Sequence, residues 1–198
     1  LPISSNNPDE LLDIMTAKRT DYNPASLGTV VGFEFNHRLF CIDILGKNFT
    51  DQNISIKNLT ITISGIQYTD TKIYLDKDLP SVPTPRNTKA SATYNLISNN
   101  DKVDVSPGGD AVRISSQKNV ILIPQNSTEE PLHIKLSFTK VVNDTSTSTI
   151  TLESDFKIDF KEGKKYSLDV NFLGSNSVTM VAAESAEWTA KEVWHTFD

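Results

Sequence analysis

Cysteine is almost missing from this chain: Cys41 is the only one in 198 residues. A lone thiol closes no internal disulfide, which argues against the stapled frameworks of small secreted eukaryotic domains. Histidine is also sparse, with 3 residues, His37, His133 and His195. No two of them stand at metal-ligand spacing, so the pattern does not point to a zinc centre. With 8 glycines, the chain has no phosphate-cradling loop, no dinucleotide turn and no GxSxG nucleophile elbow. Basic side chains are outnumbered, 19 against 25 acidic, for a net charge of -6. Such a surface repels phosphate backbones and argues against nucleic acid as a partner. No apolar run approaches the ~20 residues of a membrane-spanning helix. The chain opens Leu1-Pro2-Ile3 with neither an initiating methionine nor a signal peptide, as expected of a processed or truncated product.

What is present is a foldable, polar-dressed β pattern. Hydrophobic residues make up 37% and charged residues 22%, enough apolar content for a packed core. Asn, Ser, Thr and Asp are abundant, the dress of an extracellular β-protein. Glycosylation triplets at Asn48, Asn53, Asn58, Asn126 and Asn143 follow from that composition and read as incidental. Few cysteines on such a surface fit a bacterial cell-surface protein better than a eukaryotic one.

Near the start, "NNPDELLDIMTAKR" predicts a short helix, with Asn7 as cap, Pro8 at the first helical position and Leu11, Leu12 and Met15 as its stripe. From residue 29 the period becomes two. "VGFEFNHRLFCIDIL" alternates and then turns continuously apolar, as a strand entering a core between two layers does. "NISIKNLTITISGI" places Ile54, Ile56, Leu59, Ile61 and Ile63 on one face and Thr60 and Thr62 on the other. "KIYLDKDL" and "SATYNLIS" read as shorter strands around the loop "PSVPTPRN", whose prolines cannot join a central ladder. "SPGGDA" and "NDTSTST" read as turns. "NVILIPQNS" is a fully apolar strand, and "LHIKLSFTKV" alternates. In "DFKIDFKEGKKYSLDVNF" the chain is expected to reverse at Glu162-Gly163 as a hairpin, with Phe156, Ile158, Phe160, Tyr166, Leu168, Val170 and Phe172 facing the core. "SVTMVAAESAEW" and "TAKEVWHTFD" close the chain.

The pattern predicts an all-β protein, a two-sheet antiparallel β-sandwich of roughly seven to nine strands. Residues 1–26 form the lead-in with its short helix, and residues 27–198 form one domain.

The side chains that resemble catalytic groups have structural readings. His37 and Cys41 share a face with Phe35 and Leu39 and read as core, with no basic cluster apparent on that face. Arg38 points the other way. His133 stands alone on its strand. Asn100, Asp101, Asp104 and Asp110 gather near two glycines, a calcium-like set that departs from the EF-hand order and reads as a solvated turn. Trp188 either plugs one end of the fold or meets another subunit, and the first reading is preferred.

Three short pieces in order resemble a family. Phe35 and His37 in "FEFNHRLFCIDI", Ile121 to Gln125 in "VILIPQ", and Gly163 and Tyr166 in "FKEGKKYSLDVNF", followed by a tryptophan-bearing segment, are similar to the fimbrillin-like proteins of Bacteroidales bacteria. The likeness runs over about residues 27 to 188. It implies lipoprotein-derived surface proteins, built from two β-sandwich domains of transthyretin-like, Greek-key type. Members form fimbrial stalks or serve as tip or anchor components. Their subunits are joined by strand exchange, a form of β-strand addition. On that likeness the usual N-terminal domain and lipid-bearing cysteine are expected to lie outside this sequence, since Cys41 lies inside a strand. The chain is therefore expected to be either the C-terminal portion of a longer protein or a shorter member.

The resulting expectation is a non-enzymatic structural, tip or accessory subunit of a bacterial surface fimbrium at the outer membrane. It would need no cofactor or metal, and its partners would be other fimbrial subunits and a host or bacterial surface ligand. Trp188, Val193, Trp194 and Phe197 are its candidate strand-exchange residues. The alternative is a carbohydrate- or calcium-binding module, and a scattered-residue hydrolase would need a pocket joining His37 or His133 to a carboxylate and a serine.

Overall fold

A computed structural model of the chain describes residues 13–17, 30–67, 89–98, 100–115, 119–174, 177–188 and 192–196. Among the described residues every regular element is a strand. In chain order they are β1 (Met15–Thr16), β2 (Val30–Glu34), β3 (Asn36–His37), β4 (Phe40–Asn48), β5 (Ile54–Gln67), β6 (Lys89–Asn95), β7 (Val103–Val105) and β8 (Ala111–Arg113). There follow β9 (Val120–Leu122), β10 (Gln125–Asn126), β11 (Leu132–Val142), β12 (Ser146–Phe156), β13 (Asp159–Phe160), β14 (Lys164–Phe172), β15 (Val178–Glu187) and β16 (Glu192–Thr196).

The predicted helix is not seen. Where its second half is described, Met15 and Thr16 pair antiparallel with His37 and Asn36. A stripe of three apolar residues is too short to outweigh backbone bonds offered by a neighbouring strand. The first part of that helix, the predicted strand at 72–79 and the proline loop at 80–87 lie outside the described residues.

Two five-stranded sheets carry the fold. The first runs β12-β11-β5-β6, with β7 also paired to β5; the second runs β15-β14-β4-β8, with β9 also paired to β4. Their facing sides fill one core: Ile56, Leu59, Ile61, Ile63, Leu136 and Phe138 from the first sheet, and Phe40, Ile42, Ile44, Leu168, Val170 and Phe172 from the second. Phe138 and Phe172 meet edge to face across the layers, centroids 6.1 Å apart. The outward side of the first sheet is dressed in hydroxyls, with Thr62 bonded to Thr93 at 2.8 Å and Ser64 to Ser91 at 2.9 Å.

One feature of β5 follows from the spacing of its apolar residues. The core residues Ile54 and Ile56 have even numbers, whereas Leu59, Ile61 and Ile63 have odd ones. A period-two strand can only change parity through an extra residue. Asn58 supplies it with φ of 53°, beside a register shift between Ser137 and Thr139 on β11. A second shift opposite Gly65, whose φ is 87°, returns Ile66 to the core.

Two pairings differ from expectation. The reversal at Glu162-Gly163 exists, and Gly163 adopts φ of 66° there, but its flanking strands do not form a hairpin. β12 pairs with β11 in the first sheet, while β14 pairs with β15 and β4 in the second. The chain crosses between layers, with β13 bonded to β10 on the way. The predicted core positions are nonetheless core: Phe156, Phe160, Tyr166, Leu168, Val170 and Phe172 are buried and Ile158 packs against them. Second, the sheets are not wholly antiparallel. β4 and β14 run parallel from Cys41 opposite Lys165 to Asn48 opposite Phe172. Parallel neighbours need a long crossover, and here the first sheet's strands lie within it.

Candidate assembly interface

The two histidines with described side chains each face a carboxylate, yet neither faces a nucleophile. His133 Nδ1 lies 2.8 Å from Asp155 Oδ1 on the open side of β11, and its Nε2 is 3.8 Å from Glu153. Ser64 is its register neighbour on β5, but that hydroxyl is bonded to Ser91. His37 Nδ1 lies 2.8 Å from Asp13 Oδ2, and its ring is covered by Trp188. His195 lies in β16.

The calcium-like set does not converge among the described residues. Asp101 accepts a 2.6 Å bond from Ser98 Oγ. Asp104 accepts one of 2.6 Å from Ser55 Oγ, which, with Lys102 nearby, holds its carboxyl below the usual range. A carbohydrate platform would need exposed coplanar aromatics, and Phe49 is the one largely exposed aromatic ring among the residues whose side chains are described.

Cys41 lies on the side of the second sheet away from the shared core, and it is 1% exposed. The expectation of no basic cluster there is overturned. Asp43, two residues along on the same face, has Lys165 Nζ 2.5 Å from Oδ2 and Arg113 Nη2 2.9 Å from Oδ1. Burial first, and then the Asp43 charge, push the Cys41 thiol up to about 12. A thiol of that kind is almost never a thiolate. Native protein is therefore expected to resist maleimide labelling at pH 8 and to label fully in denaturant. Cys41→Ser is expected to cost about 1 to 3 kcal/mol, because a buried, closely packed thiol is replaced by a hydroxyl that must give up its hydration. Rapid native labelling would refute this.

Trp188 closes one end of the fold. Its ring stacks flat on His37, centroids 3.8 Å apart and planes 7° apart. The Trp188 backbone N–H donates to Gly163 O at 2.9 Å, and Gly163 N–H donates to Leu39 O at 3.0 Å. With Ile14 it packs on the small cluster Leu39, Ile121 and Ile123. Arg38 fastens the same end. Its backbone N–H donates to Ile14 O at 2.8 Å, its Nε donates to Thr16 Oγ1 at 2.6 Å, and its Nη1 donates to Glu162 Oε1 at 3.0 Å. Residues from the N-terminal segment, the β3–β4 bend, the reversal before β14 and the end of β15 thus form one clasp. Only the tertiary fold brings His37 and Trp188 together.

Beyond the clasp the chain forms β16, where Val193 and Trp194 sit opposite Phe33 and Gly32 of β2 in an antiparallel pair. That pair is a two-stranded sheet separate from the two larger ones. Phe197 lies outside the described residues. Of the strand-exchange candidates, Trp188 is therefore the packed root of the segment, while Val193 and Trp194 lie on its strand. The long outer strands of the two large sheets are β12 and β15, both with one unpaired side among the described residues.

Comparison with known proteins gives the following. No curated protein matches the chain. A crystal structure of a candidate cell adhesion protein from Bacteroides eggerthii aligns with 79% of this chain at 13% identity and a TM-score of 0.34. Another, a candidate cell adhesion protein from Parabacteroides distasonis, aligns with 82% at 9% identity and a TM-score of 0.39. The chain spans 57% of the first of those structures and 52% of the second. Among protein families, the fimbrillin-like family matches residues 3–188, so the likeness extends well before the Phe35-x-His37 strand, and the chain belongs to the fimbrillin-like family.

Proposed function

We propose that the chain is a non-enzymatic structural or accessory subunit of a bacterial cell-surface fimbrium, a stalk or tip component that supports adhesion. In this reading residues 27–198 form one β-sandwich of transthyretin-like, Greek-key type behind a lead-in of residues 1–26, within a lipoprotein-derived subunit displayed at the outer membrane. The subunit joins other fimbrial subunits by exchanging its C-terminal strand, with Val193, Trp194 and Phe197 as the docking side chains. Trp188 holds the root of that strand on its own domain.

A single observation carries the reading. Among the described residues β16 is bonded to β2 alone, outside both five-stranded sheets. Isolated two-stranded ribbons are marginal in water. Trading β2 for an equivalent strand edge on a neighbour therefore sacrifices little of the fold's own stability, and main-chain hydrogen bonds supply the new contact. A contact made head to tail extends into a linear polymer.

The test is removal of residues 189–198. The truncated chain is expected to stay folded, melting within about 4 °C of the full chain, the equivalent of roughly 1 kcal/mol for a domain of this size. Its assembly with the complete mature protein is expected to be lost. If truncation unfolds the domain, the strand is part of the core; if assembly is unchanged, exchange does not use it.

A further inference from the structure

The buried apolar side chains fall into two clusters. The large one fills the space between the two sheets, while Leu39, Ile121 and Ile123 form a small one of their own, with Ile14 and Trp188 partly buried against it. Leu39 and Ile121 are carried by the second sheet, since Leu39 immediately precedes β4 and Ile121 lies in β9, which pairs with β4. Ile14 and Trp188 come from far apart in the chain. The N-terminal segment is held by slight means. β1 offers β3 two rungs, Met15 opposite His37 and Thr16 opposite Asn36, and ladders that short are marginal alone. The Asp13 and Glu162 side chains of the clasp are 28% and 33% exposed, so water competes for their charges. Yet the two segments meet on the same groups. The His37 ring takes Asp13 at its Nδ1 edge and Trp188 on its face. Ile14 and Trp188 pack on the same three side chains. If either segment leaves, the other loses part of the surface it packs on, and the His37 ring loses one of its restraints.

We infer that the clasp is a latch: it joins residues 13–16 to the root of the C-terminal segment at Trp188 as one cooperative unit, which opens as a whole while the two-sheet core stays closed. Units of this kind open with a free energy below that of global unfolding, because they bury little and rest on few bonds. The coupling is reciprocal. Release of residues 13–16 loosens Trp188, and release of Trp188 loosens residues 13–16 by the same free energy. The latch belongs to the free chain, so it holds whether or not the C-terminal strand is exchanged between subunits.

Three backbone amides report on it. Arg38 N–H donates to Ile14 O at 2.8 Å, Trp188 N–H to Gly163 O at 2.9 Å and, in the two-sheet core, Ile114 N–H to Ile44 O at 2.8 Å. Hydrogen exchange of the full chain is followed in urea below the unfolding transition, where the slope of each opening free energy scales with the surface it exposes. The Arg38 and Trp188 amides are expected to share one opening with a shallow slope, below that of Ile114, which follows global unfolding. Trp188→Ala is expected to fold and to cut the protection of Arg38 about tenfold, within the usual range for coupled sites. Ile14→Ala is expected to do the same to the Trp188 amide. Phe138→Leu, placed in the two-sheet core, is expected to lower the protection of Ile114 and to leave Arg38 and Trp188 unchanged, because that core is closed in both states of the latch. Separate openings for Arg38 and Trp188, or an Arg38 amide indifferent to Trp188→Ala, would mean that the two segments are not coupled. Clasp amides that track Ile114 in urea or fall with Phe138→Leu, or a Trp188→Ala chain that does not fold, would make the clasp part of the global core. Each of these results overturns the inference.

Discussion

Phe40→Ala is expected to destabilise the folded chain by about 3 to 5 kcal/mol, the range for removing a large buried aromatic. Phe40 is fully buried on the central strand of the second sheet. It stacks on Phe160 with centroids 4.6 Å apart and meets Tyr166 edge-on at 5.7 Å. The neighbours cannot easily close the gap. Tyr166 is fixed by its hydroxyl, which accepts a 3.0 Å bond from Lys161 N–H and donates a 3.3 Å bond to Asp159 O. β4 itself is held by β14 on one side and by β8 and β9 on the other. The cost is therefore both the lost transfer energy and a persistent cavity. Urea unfolding measures it directly, and a loss below about 1 kcal/mol would mean that this ring is not a core group.

Asp43→Ala is expected to cost about 2 to 4 kcal/mol. Removing one member of a buried ion pair usually costs about 3 to 5 kcal/mol, because the charge left behind is uncompensated. Here the carboxylate side chain is 8% exposed, but its partners Arg113 and Lys165 are 29% and 36% exposed. They regain some hydration, which lowers the expectation. A double-mutant cycle between Asp43→Ala and Lys165→Met isolates the pairwise part. A coupling near zero would show that the cluster satisfies geometry without stabilising the fold. A neutral substitution of Asp43 also reports on Cys41. The Asp43 charge is one of the causes raising that thiol, so in Asp43→Asn its titration is expected to move downward while burial keeps it above the ordinary range.

The run "FEFNHRLFCIDIL" holds Phe40, Cys41 and Asp43 and shows where sequence reading succeeds. Its even residues Phe40, Ile42 and Ile44 fill the shared core, and its odd residues Leu39 and Cys41 are buried on the other side. A continuous apolar run signals burial on both faces, and that much needs no partner to be known. The cations around Asp43 could not be foreseen in the same way. Arg113 arrives on β8 and Lys165 on β14, so their meeting depends on which strands become neighbours.

The same division runs through the candidate interface. Val193, Trp194 and Phe197 are visible in the sequence as apolar residues in a tail, and such residues need a docking site. The sequence does not say that β16 would lie against β2, or that Trp188 would be pinned by His37 before the tail begins.

Local spacing alone determined the strand-rich class, the core positions and the bulges. Side-chain alternation at period two is a property of a single strand, and a parity jump such as Ile56 to Leu59 requires an extra residue whatever lies alongside. Tertiary structure alone decided the parallel β4–β14 pair, the crossing between layers at Glu162-Gly163 and the Trp188 clasp. Alternation is identical for parallel and antiparallel neighbours, and for central and outer strands of one buried face. The pairing that distinguishes them is a contact between residues far apart in the chain, set by how all the apolar faces are buried together.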